Sequence, residues 1–95
     1  MEAEIFSYKE WISSTDENVL KHTLADILEM AEFEILNFTS HNFTPVGYTA
    51  VWLLGESHLA IHTFPEKKKT YLELSSCNAS KNEDFKRILK TSGLL

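Results

Sequence analysis

Apolar and polar positions along the chain follow two periods. Val19, Leu20, Leu24, Ile27, Leu28 and Ala31 recur at helical spacing, with Lys21, Asp26 and Glu29 between them. This predicts an amphipathic helix with one buried face. Ser14-Thr15-Asp16-Glu17, just ahead of it, has the Ser-x-x-Glu form of a capping box. The helix is expected to end at Met30 and Ala31 without a glycine stop. The other apolar runs read as strands. Glu4–Tyr8 is short and aromatic, and Phe33–Phe38 is a second such run. Asn42–Gly47 contains Pro45 and Gly47 and predicts a turn. Tyr48–Leu54 is almost wholly apolar, which suits a central strand. Leu59–Phe64 follows, paired with its predecessor through a tight turn at Gly55–Ser57. Glu66–Thr70 reads as a charged loop, and Tyr71–Ser75 alternates as a further strand. Asn82–Thr91 puts Phe85, Ile88 and Leu89 on one face, a short helix stopped near Gly93.

The predicted order is β-α-β-β-β-β-α. Adjacent strands imply a mainly antiparallel sheet, and the two helices must cover one of its faces. The expected fold class is therefore α+β, a two-layer sandwich, with residues 1–95 forming one domain. Internal repeats, low-complexity segments and linkers are absent from the sequence.

Composition narrows the function classes. Hydrophobic content of 43% and charged content of 24% are those of an ordinary soluble domain. A net charge of −5 offers no basic face, which argues against nucleic acid as a partner. It mildly suits a cationic ligand. One cysteine cannot form an internal disulfide, so a reducing compartment is expected. Met1-Glu2-Ala3-Glu4 is acidic with no apolar run behind it, which reads as neither a signal nor a transit peptide. No apolar run approaches the ~20 residues that span a bilayer. The expectation is a cytoplasmic protein without a membrane partner.

The chemistry concentrates in Gly55-Glu56-Ser57-His58-Leu59-Ala60-Ile61-His62-Thr63-Phe64-Pro65-Glu66, followed by Cys77, twenty residues past Ser57. Side chains alternate along a strand, so His58, Ala60 and His62 face one way and Leu59, Ile61 and Thr63 the other. One face can join the core, and the other is expected to present two imidazoles beside the Glu56–Ser57 bond. A tight turn between two held strands is a place to store peptide strain. His58-x3-His62 looks like metal-ligand spacing. On a strand, however, the pair stands about 13 Å apart at ~3.3 Å per residue, too far to share one zinc ion, so no metal site is expected.

The run E-S-H-L-A-I-H-T-F-P-E resembles, without a gap, the E-S-H-[LI]-x-I-H-T-[WF]-P-E motif of the bacterial S-adenosylmethionine decarboxylase pro-enzymes. The resemblance is strong from Glu56 to Glu66, moderate to Cys77, and weak from about Glu4 to Leu54. It implies a chain that cuts itself before Ser57 and turns that serine into a pyruvoyl group. The products would be a β chain of residues 1–56 and an α chain of residues 57–95. The Ser57 hydroxyl would attack the Glu56 carbonyl, and an N-to-O acyl shift would give an ester. β-Elimination and hydrolysis would then leave the pyruvoyl. Histidine suits a proton transfer of this kind because its pKa lies near neutrality, and the resemblance assigns His62 as the processing base. Thr49, eight positions before Ser57, stands where the family usually has a helper serine. The pyruvoyl would form a Schiff base with the substrate amine and act as an electron sink during loss of carbon dioxide. Cys77 would be the proton donor.

Aligning by the motif places Phe43 and Phe64 at aromatic substrate-binding positions, suited to a sulfonium and an adenine. Glu66 falls at a substrate-contacting carboxylate. Beyond Cys77 the likeness fades: Asn78 replaces a glycine, and the loop after Glu66 is Lys-rich. The family also carries a further strand after its last helix, whereas this sequence stops at Leu95. Taken singly, Ser57 reads as a turn serine, His62 as a satisfied histidine and Cys77 as a buried thiol. Phe43 and Phe64 alone would be core aromatics, and Glu66 a solvated carboxylate. The motif lifts each of these above that reading, while His58 stays with the structural one.

The resemblance implies S-adenosylmethionine decarboxylation in polyamine (spermidine) synthesis, no metal, and a homodimer packed sheet against sheet, (αβ)2 after cutting. Two alternatives stand beside it. One keeps the chemistry but takes ornithine or arginine. The other is an uncleaved, non-catalytic homologue that partners an active paralogue.

Overall fold

The computed structural model describes residues 4–95. Met1–Ala3, read above as part of a segment with no targeting signal, lie outside the described residues. Five strands and two helices follow in the order β1 (Phe6–Ile12), α1 (Glu17–Met30), β2 (Ile35–Asn42), β3 (Tyr48–Leu54), β4 (Ser57–Phe64), β5 (Lys69–Ser76) and α2 (Ala79–Thr91). All neighbouring strands are antiparallel, in the spatial order β1-β5-β4-β3-β2. This is the α+β, two-layer arrangement that the pattern predicts, with β4 at the centre of the sheet. No helix among the described residues is long and apolar enough to cross a membrane.

The core lies between the helices and one face of the sheet. Leu20, Leu24, Ile27 and Leu28 of α1 and Phe85 and Leu89 of α2 are buried. They meet Ile12, Ala50, Trp52, Leu54, Leu59, Ile61, Leu72 and Leu74 from the strands. Each fully buried leucine stabilises the fold by roughly 1.5–3 kcal/mol relative to exposure. The opposite sheet face is open. It carries Trp11, Thr49, Val51, Leu53, His58, Ala60, His62, Phe64, Tyr71 and Glu73, all half-buried or exposed.

Several boundaries differ from the sequence reading. β1 runs to Ile12 rather than stopping at Tyr8, because Lys9 and Trp11 alternate outward while Tyr8 and Ile12 turn inward. Helix α1 is capped not by Ser14 but by Asp16, whose carboxylate accepts from the N–H groups of Asn18 and Val19, each at 3.0 Å. The Ser14 carbonyl instead accepts from the Thr70 hydroxyl at 2.7 Å, which ties the loop to β5. At the other end α1 closes without glycine, as expected. Glu32 takes a left-handed φ of 66°, and the Phe33 N–H returns to the Leu28 carbonyl at 2.9 Å, a Schellman pattern. β2 starts at Ile35 and extends to Asn42. β5 starts two residues earlier than predicted, at Lys69, after a single 3-10 turn at Pro65–Lys67. Helix α2 starts at Ala79, because the Asn78 side chain accepts from the Lys81 N–H at 3.0 Å. Gly93, at φ 87°, follows its end.

Candidate active site

β3 ends at Leu54 and β4 begins at Ser57, and these two residues pair across the hairpin. Gly55-Glu56 is thus a two-residue turn. Glu56, not the glycine beside it, takes the left-handed conformation, with φ 55°. An L-residue held there costs about 1–2 kcal/mol. Strain therefore sits immediately before the Glu56–Ser57 bond, in the kind of place where functional sites keep it.

Ser57 opens β4 with its side chain on the helix side of the sheet, only 9% exposed. The β4–β5 register pairs His58 with Ser75. One step further along the ladder brings Ser57 beside Ser76, and a second brings Glu56 beside Cys77. The sequence offset between Ser57 and Cys77 is thus a consequence of strand register. The Cys77 thiol donates to Glu56 Oε2 at 3.7 Å, and it is free and exposed. Ser57 and Cys77 line one cavity of about 180 Å3 with Gly55, Ser76, Asn78, Phe33, Glu34 and Lys81.

A second group lies at the far end of the β3–β4 pair. Thr49 and His62 are directly opposite in the ladder, and Thr49 Oγ1 and His62 Nδ1 are hydrogen-bonded at 2.9 Å. Phe43, Thr49, His62, Phe64 and Glu66 line one cavity of about 300 Å3. Two local features shape it. Gly47, at φ 119°, turns the chain back so that its carbonyl accepts from the Phe43 N–H at 2.8 Å. The Thr63 hydroxyl accepts from the Tyr48 N–H at 2.9 Å, which pins the start of β3 to β4.

The two groups do not meet within one chain. Ser57 and His62 are five residues apart on one strand, about 16 Å at ~3.3 Å per residue. They also face opposite sides, since Ser57 is buried under the helices and His62 is exposed on the open face. The expectation of two imidazoles beside the Glu56–Ser57 bond is corrected accordingly. His58 adjoins the turn, and His62 stands a strand's length away. Predicted residues therefore sort into a Glu56–Ser57–Cys77 group and a Phe43–Thr49–His62–Phe64–Glu66 group.

The structure adds residues that the sequence reading passed over. Trp11 packs against Phe64 at 5.8 Å and Tyr71 at 5.3 Å between ring centroids, with the Lys69 ammonium 4.3 Å from the Trp11 ring. Trp11 was hidden because the predicted first strand ended before it. Lys81 joins the Ser57 cavity because α2 starts earlier than its apolar spacing suggests. Among the described residues no group of three His, Cys, Asp or Glu side chains gathers as a metal site would require.

Comparison with known proteins shows the family and the fold. The family model for S-adenosylmethionine decarboxylase matches residues 5–92. An S-adenosylmethionine decarboxylase proenzyme from Prochlorococcus marinus is 39% identical over 62 residues, covering 65% of this chain and 50% of that protein. One from Archaeoglobus fulgidus is 32% identical over 75 residues, covering 79% of this chain and 66% of that protein. The chain spans about half the length of the first curated relatives that it matches. The crystal structure of the adenosylmethionine decarboxylase from Aquifex aeolicus shares the fold. Its TM-score is 0.77 at 20% identity, covering 97% of this chain and 82% of that one.

Proposed function

The chain belongs to the S-adenosylmethionine decarboxylase family, and from that premise we propose that it cuts itself between Glu56 and Ser57 and then decarboxylates S-adenosylmethionine, supplying aminopropyl groups for polyamine synthesis. The observation that carries this reading is the shared cavity of Ser57 and Cys77, placed at a turn whose preceding residue is held left-handed. Ser57 Oγ adds to the Glu56 carbonyl carbon, so that a C–O bond forms as the C–N bond breaks. Loss of the Ser57 Cα proton then breaks the Cβ–O bond and releases Glu56 as a carboxylate. Water adds to the unsaturated residue left behind, ammonia departs, and a pyruvoyl group remains at position 57.

The residues present fit that group, since a carbonyl formed at Ser57 would open into a cavity that already holds a thiol. The group supplies an electron sink for the loss of carbon dioxide from an α-amino acid. In this reading Cys77 Sγ returns a proton to the substrate carbon, and Glu56 Oε2 accepts a hydrogen bond from that thiol. Phe43 and Phe64 offer faces for the sulfonium and the adenine, with Glu66 beside them for the ribose hydroxyls. The thiol must stay reduced, which fits the cytoplasm.

Processing and binding need both groups of residues, and a second copy of the chain supplies the missing half. Two open sheet faces packed about a two-fold axis, with β4 antiparallel to its mate, bring the His62 end of one copy to the Ser57 end of the other. Exposed Leu53 and Trp11 and half-buried Val51 and Ala60 give that face apolar surface to bury. In the tautomer whose Nδ1–H donates to Thr49 Oγ1, His62 Nε2 is left to act as the base at the partner's Glu56–Ser57 turn.

Intact mass of the purified protein tests the reading. Two fragments meeting at 56/57 are expected, with the later one lacking an ordinary amino terminus, and Ser57→Ala should abolish the cut. A chain that stays whole after long incubation supports the uncleaved-partner reading instead. Carbon dioxide release from ornithine or arginine, and not from S-adenosylmethionine, would reassign the substrate.

A further inference from the structure

An α-amino acid substrate brings a negative charge to the Ser57 cavity. Its amine must reach residue 57, and its carboxylate hangs from the same carbon as the amine. Two acids already stand there, since Glu34 lines the cavity and Glu56 lies against Cys77. A carboxylate arriving with no counter-charge would be repelled. Lys81 is the one cationic side chain that lines this cavity. Its backbone is fixed by the Asn78 cap, its side chain is half-buried, and its Nζ rests 5.7 Å from the Phe33 ring centroid. Among the described residues the only ion pair is Arg87 with Asp84, so the Lys81 ammonium has no carboxylate of its own. It leans on an aromatic face, a weak contact that an incoming anion can replace.

The geometry points to Lys81 as the residue that receives the α-carboxylate of the substrate, an assignment that rests on the decarboxylase reading above. The consequence is a particular division of labour. The carboxylate charge disappears as neutral carbon dioxide leaves, so Lys81 grips the bound substrate more than the transition state. The same contact is absent from the product amine. Lys81 therefore favours the acid over its own product, and the product leaves more readily.

The test compares Lys81→Met, which keeps the stem over Phe33 and removes the charge, with Lys81→Arg, which keeps the charge. With S-adenosylmethionine as substrate, Lys81→Met should raise KM about tenfold, the size of one charge-assisted hydrogen bond, and raise kcat by a smaller factor. The calorimetric Kd of decarboxylated S-adenosylmethionine should stay within about twofold of wild type, because that ligand lacks the carboxylate. Lys81→Arg should keep KM near wild type, and it serves as the test if the Met variant does not fold, a large rise in KM there counting against the assignment. An unchanged KM in Lys81→Met, or a KM and product Kd that rise together, overturns the assignment and marks Lys81 as structural. A wild-type chain that stays uncut in the mass spectrum sinks the enzyme reading, and this assignment falls with it. A cut and active wild type with an indifferent Lys81 sinks only the latter.

Discussion

The left-handed Glu56 gives a prediction that can be worked through in numbers. Replace it with Gly in one chain and Ala in another. Both changes remove the carboxylate next to Cys77, so that loss cancels in the comparison. Only glycine relieves the φ of 55°, which is worth about 1–2 kcal/mol. Glycine also gains freedom in the unfolded chain, which takes back roughly 0.4–1 kcal/mol. Taking the middle of both ranges, the Gly chain should be the more stable by about 0.8 kcal/mol, or about 3–6 °C in Tm for a domain of this size. Melting is measured in a Ser57→Ala background so that no cut intervenes. The rate of self-cleavage is then followed by intact mass with Ser57 restored. If the strain is released as the Glu56–Ser57 bond is attacked, the Ala chain cuts faster, by at most about thirtyfold for 2 kcal/mol. Equal midpoints for the two chains would refute the claim that this turn is strained. Unequal midpoints with equal cleavage rates would show that the strain plays no part in the cut.

Three further outcomes are expected. Ser57→Ala and His62→Ala chains should each fail to cut alone, yet mixing them should produce cut His62→Ala chain, because one hybrid site joins an intact Ser57 to a partner's intact His62. No cutting in a mixture that demonstrably exchanges subunits would dismiss the shared site. Asp16→Ala should cost about 1 kcal/mol in urea unfolding, whereas Ser14→Ala should stay within about 0.5 kcal/mol, because the Ser14 contact is made by its backbone. The reverse order would restore the capping box. Burial pushes the Tyr8 phenol well above its ordinary value, and the hydrogen bond to Glu10 adds to the shift. A raised phenol pKa means that the fold favours the protonated form. Its contribution is complete below about pH 10 and drains away as pH rises toward the folded value. Wild type should therefore lose stability more steeply than Tyr8→Phe between pH 10 and 11.5, and parallel urea midpoints across that range would contradict the assignment.

Much of the fold could be read from local pattern, because each of its signals is local. Tyr48–Leu54 and Leu59–Phe64 announce themselves as buried strands, and α1 by its spacing of leucines. The edges were harder. Ser14 and Asp16 both make plausible caps, and only the trajectory of the chain decides between them. Lys9, Glu10 and Trp11 look like loop until their pairing with Tyr71–Glu73 is known. At the site, the motif named the residues but not their company. One clue was available: 57 and 62 differ by an odd number, so strand alternation alone sends Ser57 and His62 to opposite faces. Lys81 gave no such signal, because its place beside Cys77 depends on where α2 begins and on the β4–β5 register.

The strand order has a consequence for what a cut at 56/57 leaves behind. The leading piece keeps β1 and β3, and the trailing piece keeps β4 and β5. In the sheet β1 grips β5 while β3 grips β4, so the trailing hairpin is a tongue clasped on both sides by the leading piece. Severing the chain there opens one covalent link and leaves two whole ladders fastened. The halves should travel together through purification under native conditions and come apart only when the sheet itself is melted.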